Sequence, residues 1–66
     1  MKIRCNGEER RVAEGSTVFS MIVELGLEPD HVVAECDGAI VRRDAYESTP
    51  LQNGSVVELI RFVGGG

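Results

Sequence analysis

Asn53-Gly54-Ser55-Val56-Val57-Glu58-Leu59-Ile60-Arg61-Phe62-Val63 is the stretch that decides how this chain folds. Asn53-Gly54-Ser55 is a turn signal, and Val56 to Val63 then carries the densest β-branched and aromatic content in the sequence, the composition of a strand. Alternation divides that strand into two faces, with Val57, Leu59 and Arg61 on one and Val56, Ile60 and Phe62 around Glu58 on the other. Both faces are rich in apolar residues. A sheet covered by one helix leaves the second set pointing outward, so the segment predicts a strand near the middle of a sheet and an apolar surface available to a partner.

Working outward, Met1 to Cys5 alternates Met1, Ile3 and Cys5 with Lys2 and Arg4, the period of a half-buried strand. Asn6-Gly7 supplies the positive φ angles of a tight hairpin, which returns Glu8 to Ala13 as a polar second strand with Val12 inward. Gly15-Ser16-Thr17 ends it and offers a hydroxyl cap to a helix whose apolar stripe is Val18, Ile22 and Leu25, widened by Phe19 and Val23. Gly26 and Pro29 stop that helix. Val32 to Cys36 reads as a strand with Val32, Ala34 and Cys36 inward, and the Asp37-Gly38 turn leads to a short companion, Ala39-Ile40-Val41. Arg42 to Gln52 is a connecting loop with one helical turn near Asp44 to Glu47, pinned to the core by Tyr46 and Leu51. The order predicts an α+β fold in which a mixed sheet of four to five strands packs on one main helix. A right-handed crossover predicts that the helix-linked strands lie side by side and parallel, in a β-grasp arrangement.

The 66 residues allow one domain, and a net charge of −4 without a basic cluster gives no electrostatic footprint for nucleic acid or anionic lipid. Val18 to Leu27, the longest mainly apolar run, is too short to cross a bilayer, and Met1 to Arg4 lacks the pattern of a secretory signal, so a cytoplasmic protein is expected. Cys5, Cys36 and His31 are too few to hold an iron–sulfur cluster or structural zinc, so no metal is expected. The two cysteines fall on inward strand phases and read as reduced, buried thiols, while His31 reads as a solvated loop residue. Glu8-Glu9 and Arg10-Arg11 read as a solvated hairpin face, whereas Arg42, Arg43 and Arg61 could assist docking.

Gly64-Gly65-Gly66 follows the strongest strand directly. Such a tail is slim, adopts angles closed to other residues and passes through a narrow channel, so the chain divides into a domain over 1–63 and a flexible tail over 64–66. The tail delivers the α-carboxylate of Gly66, an oxygen nucleophile toward the α-phosphate of ATP, to another protein's active site.

The chain resembles the sulfur carriers of thiamine biosynthesis, the ThiS family of ubiquitin-like β-grasp proteins, over its whole length. The features that carry the resemblance are Asn6-Gly7, Gly15-Ser16-Thr17-Val18, Gly38-Ala39-Ile40-Val41-Arg42-Arg43, Asn53-Gly54-Ser55-Val56-Val57-Glu58 and Val63-Gly64-Gly65-Gly66. Asp37, Arg42, Tyr46 and Ser55 depart mildly from the family pattern, though Asp and Ser still make turn hydrogen bonds and Tyr remains an aromatic anchor.

The resemblance implies a protein cosubstrate rather than an enzyme. A ThiF-type adenylating enzyme activates Gly66 with ATP, sulfur arrives from a cysteine desulfurase or other persulfide donor, and the thiocarboxylate serves a ThiG-type thiazole synthase. Gly64 and Gly65 are expected to thread into the partner, and the strand pattern, not the resemblance, marks Val56, Ile60 and Phe62, with Arg61, as the expected docking residues. No cofactor is bound by the chain itself, and the free protein is expected to be monomeric. Three alternatives carry their own discriminators. Sulfur transfer to a molybdopterin precursor marks a molybdopterin-synthase small subunit, and an isopeptide adduct marks a ubiquitin-like modifier. Activity that survives deletion of Gly65 and Gly66 marks a non-covalent interaction module.

Overall fold

The computed structural model describes residues 1–62. Five strands, β1 (Lys2–Cys5), β2 (Glu8–Arg11), β3 (Val32–Cys36), β4 (Ala39–Val41) and β5 (Val56–Arg61), form one sheet in the order β2-β1-β5-β3-β4, packed on a single helix, α1 (Val18–Glu24). The expected mixed sheet on one helix, the β-grasp architecture, is present.

Local chemistry explains each element. Asn6 and Gly7 take φ 50° and 81°, and Asp37 and Gly38 take 52° and 85°, so both hairpins turn through paired left-handed residues that match strand twist. Thr17 caps α1 reciprocally: its hydroxyl accepts the Ser20 N–H at 3.1 Å, and Ser20 Oγ accepts the Thr17 N–H at 2.8 Å. The next free donors are taken by the loop, where Thr49 and Tyr46 carbonyls accept the Val18 and Phe19 N–H groups at 3.0 Å each. The helix therefore begins with its backbone satisfied. At its other end Gly26, at φ 77°, donates to the Val23 carbonyl and Leu27 to the Ile22 carbonyl, the paired bonds of a Schellman stop.

The inner face of the sheet and the helix enclose Ile3, Cys5, Val18, Met21, Ile22, Val32, Ala34, Val57 and Leu59, with Tyr46 and Leu51 reaching in from the loop as expected. Tyr46 also donates its hydroxyl proton to the Val32 carbonyl, tying the loop to the first residue of β3. The departures at Asp37 and Ser55 keep their turn roles: Asp37 Oδ1 accepts the Val56 N–H at 2.9 Å and Ser55 Oγ accepts the Gln52 N–H at 2.9 Å.

Several expectations need correction. The helix-linked strands β2 and β3 run in the same direction but are not neighbours, because β1 and β5 stand between them. The adjacent parallel pair is β1 and β5, while the expectation that the last strand lies near the middle holds: β5 is central, with both its edges paired. The helix buries Met21 with Val18 and Ile22, while Val23 is half exposed and Leu25 is only partly covered. β2 ends at Arg11, although Val12 continues the hairpin by exchanging hydrogen bonds with Met1 at 2.9 Å. The helical turn of the loop is a 3-10 turn at Arg43–Ala45. β5 stops at Arg61, and Val63 with the tail 64–66 lies outside the described residues.

Candidate functional site

The outer face of the sheet is built by alternation. With Val57 and Leu59 fully engaged in the core, β5 is forced to present Val56, Glu58, Ile60 and Phe62 to the other side. Val56, Ile60 and Phe62 are 45%, 55% and 44% exposed, values that leave large apolar surface uncovered on a domain this small. β3 and β4 extend the patch: Val33 lies opposite Ile60 in the ladder, and Ile40 lies opposite Glu35, with both apolar residues exposed. Arg61 does not share this face. It pairs in register with inward-pointing Val32 at the end of the sheet, so the structure separates it from Val56, Ile60 and Phe62 while leaving it exposed.

The same strand runs toward the glycine tail, and its exit is held by contacts that sequence reading did not find. Beyond the last ladder pair, the Phe62 N–H donates to the His31 carbonyl at 3.0 Å. The His31 ring meets the Phe62 ring edge-on with centroids 6.1 Å apart. His31 is exposed, as read from sequence, but it also fixes the last described residue of the chain. Its position depends on the 3-10 turn Pro29–His31, which brings a residue distant in sequence beside Phe62, and no local motif signals that. The other singled-out tail positions, Gly64, Gly65 and Gly66, lie outside the described residues.

The arginines expected to help docking divide in use. Arg43 pairs with Asp30 at 2.8 Å and its guanidinium stands 5.2 Å from the Tyr46 ring centre and 5.9 Å from that of Phe19, so it braces the loop against the helix. Arg42 pairs with Asp44 at 3.1 Å in full solvent view. Cys5 is buried and Cys36 half-buried, which corrects the expectation that both are fully enclosed. Burial raises both thiol pKa values above the ordinary 9.0; neighbouring Glu58 and Glu8 add to this at Cys5 against the opposing pull of Arg10, and Asp37 adds to it at Cys36. Neither is poised as a thiolate nucleophile. Among the described residues no cluster of three metal-ligating side chains occurs, and no helix is long and apolar enough to cross a membrane. A shallow depression of about 270 Å³ borders the patch beside Lys2, Arg4 and Asn53, and Lys2 there is paired with Glu9. The described residues thus present an exposed apolar face on the side of the sheet away from α1.

Comparison with known proteins agrees with the fold. The family model described as ThiS family matches residues 3–66. A crystal structure of the thiamine biosynthesis protein ThiS from Geobacter metallireducens superposes with a TM-score of 0.84 at 30% identity, each chain covered in full. A solution structure of a thiamine biosynthesis protein from the same organism gives 0.82 at 30% identity, covering all of this chain and 88% of the other. Two curated relatives, each a thiazole synthase, are 36% identical in Magnetococcus marinus and 35% identical in Paramagnetospirillum magneticum over all 66 residues. This chain spans 20% of the length of either relative.

Proposed function

The chain belongs to the ThiS family, and from that premise we propose that it is a sulfur carrier of thiamine biosynthesis, loaded at the carboxylate of Gly66 and unloaded by a thiazole synthase. The observation that carries the reading is the family match, which runs from the first strand through the glycines to residue 66. The chemistry asks little of the carrier. A carboxylate is a poor acyl donor, so a ThiF-type enzyme joins it to AMP from ATP with loss of pyrophosphate, creating an anhydride with a good leaving group. The terminal sulfur of a persulfide, made by a cysteine desulfurase or another donor, attacks the acyl carbon and expels AMP. A second thiol then breaks the S–S bond, forming a disulfide and releasing the thiocarboxylate, an anionic nucleophile at neutral pH. Every catalytic group in this sequence belongs to a partner. The carrier is a cosubstrate that supplies a rigid domain, the apolar face of Val56, Ile60 and Phe62, and the slim Gly64-Gly65 tether.

Two thiazole synthases contain a stretch similar to this whole chain, and carriage of both functions on one polypeptide favours thiazole formation over a molybdopterin client. Incubation with ATP, a ThiF-type enzyme, a cysteine desulfurase and cysteine is expected to replace one oxygen by sulfur at Gly66, read by intact mass and fragment-ion analysis. An unchanged mass with an enzyme that loads another carrier of the family contradicts the proposal. Removal of Gly65 and Gly66 is expected to abolish loading while leaving the melting temperature unaltered.

A further inference from the structure

The apolar outer face has two carboxylates at its centre. Glu35 of β3 and Glu58 of β5 are directly opposed in the antiparallel ladder, with Val33 and Ile60 the next pair along on the same face and Ile40 beside Glu35 on β4. Opposed residues on one face hold their Cβ atoms about 5 Å apart, where like charges destabilise the sheet. Among the described residues no cationic side chain forms an ion pair with either. Lys2 is paired with Glu9, Arg42 with Asp44 and Arg43 with Asp30. Arg4 donates to the Gly7 carbonyl, Arg10 and Arg11 lie on the edge strand β2, two strands away from β5, and Arg61 has the opposite strand phase from Glu58. Those are all seven cationic side chains of the sequence.

Resting on the reading that this face docks the partner, we propose that the partner covers it with an apolar surface carrying one cationic side chain, best an arginine, which bridges Glu35 and Glu58. Seating apolar atoms on Val33, Ile40, Val56 and Ile60 removes water from the two carboxylates between them, and burying them without a counter-charge opposes association. A guanidinium has enough donors to serve both carboxylates at once, which an ammonium point charge does less well. The same argument rejects other occupants. A second copy of this chain packed face to face brings four carboxylates together, and an anionic lipid or nucleic acid meets like charge. The pair thus acts as a selector: it destabilises the free sheet slightly and is relieved only by the correct surface.

Calorimetric titration of the full chain into the thiazole synthase of the same organism tests this, with melting of each free variant as the second measurement. The double variant Glu35→Gln with Glu58→Gln is expected to melt at or above the wild-type temperature yet bind about tenfold or more weakly, and Glu58→Lys more weakly still. If both charge variants bind as tightly as wild type while Ile60→Asp binding is lost, the bridging cation is overturned and docking through the face stands. If Ile60→Asp binds normally, this face is not the interface and the reading beneath the proposal fails with it.

Discussion

Asn6 occupies the left-handed region at φ 50° and uses both ends of its amide on β5: Oδ1 accepts the Leu59 N–H at 2.8 Å and Nδ2 donates to the Leu59 carbonyl at 3.2 Å. Its own N–H reaches the Val57 carbonyl at 2.9 Å, so one turn residue extends the short β1–β5 pairing past Cys5. Replacement by Ala loses two hydrogen bonds and strains the turn, and a loss of about 2–3 kcal/mol in urea unfolding is expected. Asn6→Gly relieves the strain and isolates the hydrogen bonds, at about 1–2 kcal/mol. Tyr46→Phe leaves the buried Val32 carbonyl without its partner and is expected to cost about 1–2 kcal/mol by the same measurement. The thiols give a pH prediction. Their folded pKa values lie above the ordinary 9.0, so the native state favours the protonated form; stability is intact below that value and declines as pH rises through the raised one. At pH 8 a disulfide reagent is expected to label the folded chain more slowly than the urea-unfolded one, and half-buried Cys36 before buried Cys5.

At the scale of elements, α1 holds 7 residues, too few to persist without packing, so its ends matter. Thr17→Ala removes the acceptor for the Ser20 N–H and is expected to destabilise by about 1 kcal/mol in thermal or urea melts. Both stops of this helix were legible, because a hydroxyl before it and a glycine after it act through bonds only a few residues long. Its buried stripe was legible only in part. Val23 has the hydrophobicity of a core residue, yet the sheet reaches the side holding Val18, Met21 and Ile22, and hydrophobicity alone does not say where the sheet ends. The hairpins at Asn6-Gly7 and Asp37-Gly38 and the two faces of β5 were readable for the same local reason. Strand order was legible in part: two apolar faces placed β5 near the middle of the sheet, where it stands, but the helix joins β2 to β3, and the pairing of β1 with β5 between them is one of chain ends that no local pattern records. The grip of His31 on Phe62 belongs to that class too.

On the scale of the whole molecule, the core and the face proposed for docking lie on opposite sides of one sheet. The core between the sheet and α1 holds Ile22 of the helix and Val57 of β5, both fully buried, so truncation there removes packing that nothing else replaces. Ile22→Ala is expected to cost about 2–5 kcal/mol, a large share of what a domain this small has, and to lower the melting temperature steeply. The outer side holds Ile60, 55% exposed, where a change to Asp adds a third carboxylate near Glu35 and Glu58 but opens no cavity. That variant is expected to keep the circular-dichroism spectrum and lose less than about 1 kcal/mol. Its thiocarboxylate form, made chemically so that the loading enzyme is not needed, is expected to deliver sulfur to thiazole synthase at least about tenfold more slowly at subsaturating carrier. Ile22→Ala, assayed at a temperature where it is still folded, is expected to deliver sulfur at the wild-type rate. Equal rates for wild type and Ile60→Asp in that assay contradict docking through the outer face, whereas slow delivery by folded Ile22→Ala contradicts the division of labour between the two sides. The two faces themselves follow from the sequence of one strand, since Val57 and Leu59 cannot enter the core without turning Val56, Ile60 and Phe62 away from it.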